Sequence, residues 1–268
     1  AHGPLRWTNL ALDIFLKSSG HGIPVTINGE PMAGVIGPVT HAGAAAVGNA
    51  EILAGIVVNQ VLEPGRPVIY NLGLAHVFDM KAGTAVTGGP ENPFYAEVSA
   101  SLGRFYNIPS SSWVSTESVF EDEQAAFEKM FAIHTHMLGG VSLIWGLGQL
   151  ESEMSTSLGQ LVMDNEMVNY TRHYQRGFEI NDEELQFDLI RETGIGGNYL
   201  DKDHTFENFR RTLYDPSILN RKARASCPGP LPEVALAKAQ EIIKSDSSEK
   251  IKSAELQELK RIETHFRQ

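Results

Sequence analysis

Residues 23–27 read IPVTI, residues 34–40 read GVIGPVT, and a long run of small and apolar residues follows at 42–62. The first segment has the length and the β-branched content of a buried strand. The second has the glycine and proline content of a loop, and the third is typical of a long helix. A strand, a loop and a helix in this order form the unit from which parallel α/β sheets are built.

The same unit recurs three times further along the chain. We predict strands at 67–70, 112–115 and 141–145, and helices at about 93–106, 122–138 and 158–175. Pro64-Gly65 and Gly139-Gly140 stand where helices are expected to end, because glycine readily takes the left-handed conformation that closes a helix. The pattern therefore predicts a mostly parallel α/β sheet.

Two architectures fit this pattern, a doubly wound sheet and a (β/α)8 barrel of the TIM type. The pattern contains four strands, whereas a closed barrel needs eight. We expect residues 1–180 to form about half of a TIM-like barrel. The other half would come from a segment outside this chain, or the sheet is open.

The last third of the chain has no strand pattern. Residues 182–193 and about 206–213 predict helices. The glycines at 194–197 predict a helix end, since a phosphate loop would need a preceding strand. Residues 232–268 are polar, charged and helical in pattern, which is typical of a surface helix pair or of an arm that packs on a partner. We expect residues 181–268 to be a helical extension that packs on the barrel.

The charge balance bears on the partners of this protein. The chain has 22 Lys and Arg against 33 Asp and Glu, a formal net charge of -11. Such a surface repels nucleic-acid phosphates and anionic lipids, so we expect neither nucleic acid nor membrane as a partner. We see no apolar stretch long enough to span a bilayer and no secretory signal. The one cysteine, Cys227, fits a reducing compartment, and we expect a cytoplasmic protein.

In a parallel barrel the active site lies at the carboxyl ends of the strands. The polar and small residues that follow the predicted strands are Gly37, Thr40, His41, Asn71, His76, Asp79, Thr116, Glu117, Asp122, Gly146, Gly148 and Glu151. They contain no catalytic triad, no Walker loop and no His-Glu-x-x-His pattern. The sequence therefore predicts no metal site.

Aromatic and histidine side chains are the other candidates for ligand binding. Most of the aromatic residues are expected in the core, but one or two at strand ends could form a cation–π wall for a quaternary ammonium. His134 and His136 lie near the end of the third helix, where histidine suits the helix dipole. Residues two apart on a helix point in different directions, so these two do not easily share a metal.

Several short sequence segments carry a resemblance to a known family when they are taken together in their order along the chain. They lie at residues 34–44, 49–55, 89–91, 116–118, 122–125, 161–166, 196–200, 204–205, 209–210 and 216–221. As a set they resemble the trimethylamine methyltransferase superfamily over about residues 23–221. The resemblance implies a TIM barrel that moves a methyl group from a methylamine or betaine to the cobalt of a partner corrinoid protein. It also implies longer members whose extra sequence is N-terminal.

One difference from the founding members indicates which branch of that superfamily the chain resembles. The founding members carry pyrrolysine in the loop near Thr116 to Asp122, whereas this chain has standard residues there, with Val119 near that place. It therefore resembles the branch without pyrrolysine, which includes glycine betaine methyltransferases. Glu117 stands where aspartate is expected, and Val119 stands where lysine is usual.

The resemblance and the residue chemistry together suggest a substrate site. Co(I) can attack the methyl carbon of a quaternary ammonium directly, so no strong general acid is required, and the protein must hold the cation and align the methyl group. For the cation we expect Glu91, Tyr95 and Trp145, and for a betaine carboxylate His134 or His136. Thr116 and Asp122 complete the predicted substrate site, although Asp122 and Gln124 are equally suited to capping the third helix.

Other functions remain compatible with this sequence. We expect cobalamin to be carried by a partner corrinoid protein, no cofactor bound by the chain itself, and a homo-oligomer. The alternatives are different chemistry on the same barrel and a non-catalytic protein that binds a betaine or the corrinoid partner.

Overall fold

The computed structural model describes residue 1, residues 3–245 and residues 251–266. Its helices are α1 (Asn9–Ser18), α2 (His41–Leu62), α3 (Glu91–Tyr106), α4 (Glu123–Gly139), α5 (Leu158–Arg176), α6 (Asp182–Leu185), α7 (Phe187–Thr193), α8 (Asp203–Thr212), α9 (Leu231–Ser245) and α10 (Ser253–Phe266). Its strands are β1 (Val25–Asn28), β2 (Met32–Ala33), β3 (Val68–Gly73), β4 (His76–Asp79), β5 (Thr84–Val86), β6 (Ser110–Trp113), β7 (Leu143–Trp145), β8 (Gln149–Leu150) and β9 (Ser155–Thr156).

The main sheet has four parallel strands in the order β1-β3-β6-β7. Each strand pairs with the next long strand of the chain, as Val25 lies opposite Val68 and Trp113 lies opposite Trp145. The order contains no reversal, which a doubly wound sheet requires. The predicted α/β fold with parallel βα units is therefore confirmed, and the doubly wound alternative does not describe these strands. Closure into a barrel stays a prediction.

Helices cover one face of this sheet. Ile27, Tyr70 and Leu72 pack with α2 and α3 in the largest core cluster, and Ile144 packs with Ile133 of α4 in a second. Because side chains alternate along a strand, the residues between them point to the opposite face. The opposite face carries polar, aromatic and aliphatic side chains, namely Thr26, Asn28, Ile69, Asn71, Ser111, Trp113, Leu143 and Trp145. Its two tryptophans lie on neighbouring strands.

The predicted strands and helices of the main sheet agree with the structure to within about three residues at each end. Smaller elements were missed: α1, the sheet of β2, β4 and β5, and the hairpin of β8 and β9. Strands of two to four residues carry too little periodicity to be recognised. The single helix predicted at 182–193 is two helices, because Gln186 has a left-handed backbone with a φ of 51°.

The predicted C-terminal helices are α9 and α10, and residues 246–250 and 267–268 of that prediction lie outside the described residues. Helix α9 packs on α5 through Met163 and Ala235, and Ile218 joins this cluster. The buried Glu166 of α5 accepts hydrogen bonds from the Tyr214 hydroxyl at 2.6 Å and from the Ser217 amide at 3.1 Å. Glu166 therefore ties the segment before α9 to the main body. The division at residue 180 stays a prediction.

One expectation about membranes was wrong. Helix α2 has 22 residues and a mean hydropathy of 1.4 in its most apolar window, so it passes the length and composition test for a membrane span. Core helices pass the same test, and α2 buries Glu51 and Asn59 on the face that packs on the sheet. Its length and composition are therefore weak support for a membrane segment.

A buried ion pair joins α4 to α5. The Lys129 ammonium lies 2.6 Å from an Asp164 oxygen, and both side chains are fully buried. Lys129 also donates to the Gln149 carbonyl at 2.8 Å, and the Gly148 amide donates to Asp164 at 2.6 Å. Burial lowers the pKa of Lys129, and the Asp164 charge acts in the opposite direction. The pair therefore fixes the start of the loop that follows β7.

We expect Lys129→Met to lower the free energy of unfolding by roughly 3–5 kcal/mol, because it leaves the Asp164 carboxylate buried without its partner. Urea unfolding followed by circular dichroism measures this change. Arg191→Met is the matched control, since Arg191 and Asp188 pair at the surface with exposures of 79% and 96%. It should change the free energy by less than about 1 kcal/mol. Equal effects of the two substitutions would contradict the assignment.

Candidate functional site

Glu117 is the centre of a hydrogen-bonded network at the carboxyl ends of the strands. One carboxylate oxygen accepts from the Thr87 amide at 2.6 Å, the Thr87 hydroxyl at 2.9 Å and the Gly88 amide at 2.8 Å. The other accepts from the Ser152 hydroxyl. Glu117 therefore joins the loops that follow β5, β6 and β7. Its lone pairs are already used, so it acts here as a clamp between loops.

Glu128 of α4 supports the same loop from the helix side. Its carboxylate accepts from the Glu117 amide at 2.9 Å and from the Thr116 hydroxyl. Its other oxygen accepts from Gln124 at 2.9 Å. Thr116 is fully buried by this arrangement. Thr116, a predicted substrate residue, is therefore buried and held by hydrogen bonds just after the carboxyl end of β6.

The hairpin of β8 and β9 lies over this edge of the sheet. The Ser152 amide donates to the Thr116 carbonyl at 2.9 Å, and the Glu151 amide donates to the Ser118 carbonyl at 2.8 Å. Glu151, Ser152 and Glu153 have φ angles of 54°, 48° and 77°. Three consecutive non-glycine residues in the left-handed region are strained, and such strain clusters at functional sites.

The carboxyl of Glu153, at the tip of this hairpin, has a raised pKa. It remains accessible to solvent, yet partial desolvation and then the charge of Glu30 raise the pKa of its carboxyl from 4.5 to about 7. Glu30 follows β1, and Glu153 follows β7, which are the two edge strands of the sheet. Both residues therefore lie in loops at the carboxyl ends of the edge strands, and the charge of Glu30 acts on the Glu153 carboxyl.

Two tryptophans line the helix-free face below the hairpin. Trp113 and Trp145 end neighbouring strands, and their ring centroids lie 5.6 Å apart. Trp113 is 1% exposed, and its indole nitrogen has no hydrogen-bond partner among the described residues. Trp145 is partly exposed. The pair presents an aromatic surface near Glu117, of the kind that attracts cations.

A second aromatic group lies where α2 and α3 begin. The Tyr95 hydroxyl is 3.1 Å from His41 Nδ1, and the His41 ring is 5.6 Å from the Phe94 ring. Burial and then the negative charge of Glu91 raise the pKa of Tyr95. Glu91 and Tyr95 lie four residues apart in the first two turns of α3, and Tyr95 belongs to the core cluster between the helices and the sheet. Their role in binding a cation stays a prediction.

Asp122 caps helix α4. Its carboxylate accepts from the Ala125 amide at 3.0 Å and from the Ser118 hydroxyl at 2.8 Å. These hydrogen bonds lower the pKa of Asp122. The capping interpretation of Asp122 is thus confirmed, and a role in substrate binding stays a prediction.

His134 and His136 are not brought to the predicted site. They lie near the end of α4, which runs away from the mouth, and the Val141 amide bonds to the His136 carbonyl where the chain turns back into β7. His136 is fully buried, and burial lowers its pKa to about 3. His134 stacks near Tyr174 of α5 at 5.3 Å. Both lie near the end of the helix, as predicted, and their role in binding a betaine carboxylate stays a prediction that the site proposed below does not use.

The remaining strand-end residues have mainly structural positions. The Asn71 amide donates to Asn28 at 3.0 Å across β1 and β3, and His76 contacts the Leu74 carbonyl at 3.0 Å. Asp79 accepts from two backbone amides and closes the hairpin of β4 and β5, and these bonds lower its pKa. The strand-end rule thus selected residues that mostly hold the loops in place, and a substrate site at this edge of the sheet stays a prediction.

Sequence reasoning missed several residues of this edge: Glu30, Thr87, Glu128 and Glu153. Glu30 directly follows β1, so the same strand-end rule could have found it. Thr87 and Glu128 bond to a loop that is distant in sequence, and no local pattern signals that. Within the described ranges, no group of three or more His, Cys, Asp or Glu could hold a metal ion.

Comparisons of the sequence with known proteins identify the family of this chain. The model of the family described as trimethylamine methyltransferase (MTTB) matches residues 1–262. The chain is 35% identical over 222 residues to the glycine betaine methyltransferase of Desulfitobacterium hafniense (strain Y51), a match that covers 82% of this chain and 46% of the relative. It is 33% identical over 251 residues to the trimethylamine methyltransferase MttB of Methanosarcina barkeri (strain Fusaro), covering 90% and 50%. The chain thus spans about half the length of the curated relatives it matches.

The Glu30–Glu153 coupling predicts a measurable titration. We expect the Glu153 carboxyl to titrate near pH 7 in ¹³C NMR, and Glu30→Gln to lower that midpoint because it removes a nearby negative charge. Glu179→Gln, an exposed position after α5, is the control and should leave the midpoint unchanged. A Glu153 midpoint near 4.5 in the unsubstituted chain would contradict the assignment.

The same shift predicts how stability depends on pH. The folded chain holds a proton on Glu153 between its ordinary pKa of 4.5 and about 7, whereas the unfolded chain loses it. This group therefore makes folding less favourable as the pH rises through that window. Glu153→Gln should raise the melting temperature relative to the unsubstituted chain at pH 8 but not at pH 4. A difference of the same size at both pH values would contradict this.

Proposed function

The chain belongs to the trimethylamine methyltransferase (MTTB) family, and on that premise we propose that it forms part of a methyltransferase acting on a methylated or quaternary amine. The methyl acceptor we propose is the Co(I) of a partner corrinoid protein. The relatives are named for glycine betaine and for trimethylamine, which share a methylated nitrogen. We further propose that the parallel sheet is part of a closed (β/α)8 barrel completed by sequence outside this chain.

The observation that carries this proposal is the pairing of aromatic and acidic groups at one edge of the sheet. Trp145 supplies a partly exposed ring beside the buried Trp113, and Glu30 and Glu153 are carboxyl groups in the loops that follow the two edge strands. Ring faces attract cations, and a carboxylate adds Coulomb attraction at the rim. Among the described residues this edge holds no bonded acid–base pair of the kind that hydrolases use. The site is therefore suited to holding a cation.

For a quaternary ammonium substrate the methyl group would pass to the Co(I) of the partner corrinoid protein, and the nitrogen would leave with the electron pair of the broken carbon–nitrogen bond as a neutral tertiary amine. Such a substrate needs no proton transfer at the amine, whereas trimethylamine would have to react as its protonated form. The chain then has three tasks. Trp145, packed against the buried Trp113, holds the ammonium end, the Glu117 clamp keeps the three loops in place, and the hairpin of β8 and β9 limits the entry of water.

The raised pKa of Glu153 fits this role. With a pKa of about 7, the carboxyl is only partly ionised at neutral pH. A bound ammonium ion stabilises the ionised form and so lowers that pKa. Binding of the cation is thus linked to release of a proton from Glu153. The cytoplasmic location and a homo-oligomeric state are part of the same proposal.

Direct methyl transfer tests the proposal. We would combine the chain, or the longer protein of which it is part, with reduced cobalamin and either glycine betaine, carnitine, proline betaine or trimethylamine. We expect the visible spectrum to change from cob(I)alamin to methylcobalamin with at least one amine. Binding of an amine without any spectral change would favour the alternative, a non-catalytic binding protein.

We expect Trp145→Leu to raise the KM for the active amine about tenfold, because a desolvated cation–π contact contributes roughly 1–2 kcal/mol. Trp145→Phe should recover most of the loss, since it keeps a ring face. Phe105→Leu is the matched control, because Phe105 is 79% exposed in the last turn of α3, away from the mouth. Equal KM values for Trp145→Leu and the unsubstituted protein would remove Trp145 from the site.

A further inference from the structure

Strand β6 carries two buried polar side chains whose hydrogen-bonding groups are unpaired. Trp113 is 1% exposed and Ser111 is 0% exposed. Neither the indole nitrogen of Trp113 nor the hydroxyl oxygen of Ser111 has a hydrogen-bond partner among the described residues. Buried indole N–H groups and hydroxyls usually have one, because an unpaired buried donor is costly. Both groups can therefore accept the company of a ligand atom without giving up an existing bond.

Their position separates these two groups from the other unpaired ones. Ser111 and Trp113 lie two residues apart on one strand, so both side chains are on the helix-free face. The other unpaired buried groups of the described residues lie on helices, in the hairpin of β8 and β9, or before α1. Trp113 ends β6, whereas Ser111 lies deeper in the sheet. The Trp113 N–H is therefore the donor nearest to the edge where the methyl-transfer site is proposed.

The chemistry of Trp113 defines one end of a ligand. An indole nitrogen only donates hydrogen bonds, so its partner has to be an acceptor such as a carboxylate oxygen. The neighbouring Trp145 ring lies 5.6 Å away between centroids and is the proposed holder of the ammonium end. A ligand that meets both tryptophans needs a cationic nitrogen and an acceptor oxygen close together. Glycine betaine has both, with one methylene group between the nitrogen and the carboxylate, whereas tetramethylammonium has no oxygen.

The acidity of the chain does not oppose such a ligand. The formal net charge is -11, but a betaine is a zwitterion without net charge, so the field of the whole protein does not repel it. The Glu117 oxygens are already bonded to four donors. The Glu153 carboxyl, with its pKa raised to about 7, is only partly ionised at neutral pH. A carboxylate at this edge is therefore repelled less than the number of acidic residues suggests.

We propose that the Trp113 indole N–H donates a hydrogen bond to an oxygen of the substrate, and that this bond selects betaines over methylated amines that lack an oxygen. A hydrogen bond to a carboxylate is stronger than one between two neutral groups. A site that pairs with a substrate oxygen discriminates against analogues without it, because the donor of the site is then left unpaired. This inference rests on the proposed function, since it names the substrate class of the same site.

The test compares two ligands that share a quaternary nitrogen. Glycine betaine and tetramethylammonium would be titrated by calorimetry into the chain, or the longer protein of which it is part, with and without Trp113→Phe. We expect the substitution to weaken glycine betaine binding about tenfold and tetramethylammonium binding less than about twofold, because phenylalanine keeps a ring and removes the N–H. Trp7→Phe is the matched control and should change neither affinity. The Trp7 indole nitrogen is also unpaired, but Trp7 packs on Phe15 and α2.

The ratio of the two affinities distinguishes the outcomes. Equal losses for both ligands would show that Trp113 acts through packing, and this result or unchanged glycine betaine binding would overturn the inference. Binding of tetramethylammonium without any preference for glycine betaine would also overturn it, while leaving the proposed function in place. Failure of the unsubstituted protein to bind either ligand would contradict the proposed function and the inference together.

A second measurement needs no substitution at Trp113. The chain has three tryptophans, so Trp7→Phe and Trp145→Phe identify the indole ¹H–¹⁵N signal of Trp113 by elimination. We expect this signal of the unsubstituted chain to move downfield with glycine betaine but not with tetramethylammonium, because only the former brings an acceptor. A Trp113 signal that responds equally to both ligands, or to neither, would overturn the inference even if Trp113→Phe did not fold.

Discussion

The ion pair between Lys129 and Asp164 is the interaction on which the arrangement of this molecule depends most. Two opposite charges without access to water are stable only when each is paired and hydrogen-bonded. Here the partners are the backbone of residues 146–149, so α4, α5 and the start of the loop after β7 are fixed to one another. That loop leads into the hairpin of β8 and β9, which lies over the mouth of the sheet. The ion pair therefore anchors the base of the hairpin that carries Glu153.

A second carboxylate continues this chain of contacts to the surface. Glu117 receives hydrogen bonds from loops that follow β5 and β7, and Glu128 of α4 holds the Glu117 backbone from below. The strained turn at 151–153 is kept in its left-handed conformation by these contacts. The result is a preorganised rim around Trp113 and Trp145. Preorganisation matters for a methyl transfer of the kind proposed, because the protein contributes alignment and exclusion of water rather than acid–base chemistry.

The sequence predicted the long elements of the sheet well, since their apolar segments are separated by clear glycine and proline signals. It placed the carboxyl ends of the four long strands at one edge because the strands are parallel. It placed His134 and His136 near the end of α4, as the structure has them, but it could not show that a helix returning to the next strand carries its last turn away from that edge. It also could not assign Glu117, whose four donors come from residues about thirty positions away on either side. Tertiary hydrogen bonds of this range leave no local pattern.

Hydrogen–deuterium exchange with a methylated ammonium ligand tests most directly whether the carboxyl edge of the sheet is the binding site. The chain would be incubated with and without saturating glycine betaine or tetramethylammonium, and exchange would be followed by mass spectrometry of peptides. The account predicts slower exchange at residues 114–122 and 146–157, which form the loops around the tryptophans, and no change along α4 and α5. Slower exchange confined to α4 and α5, or no change at either loop, would contradict it.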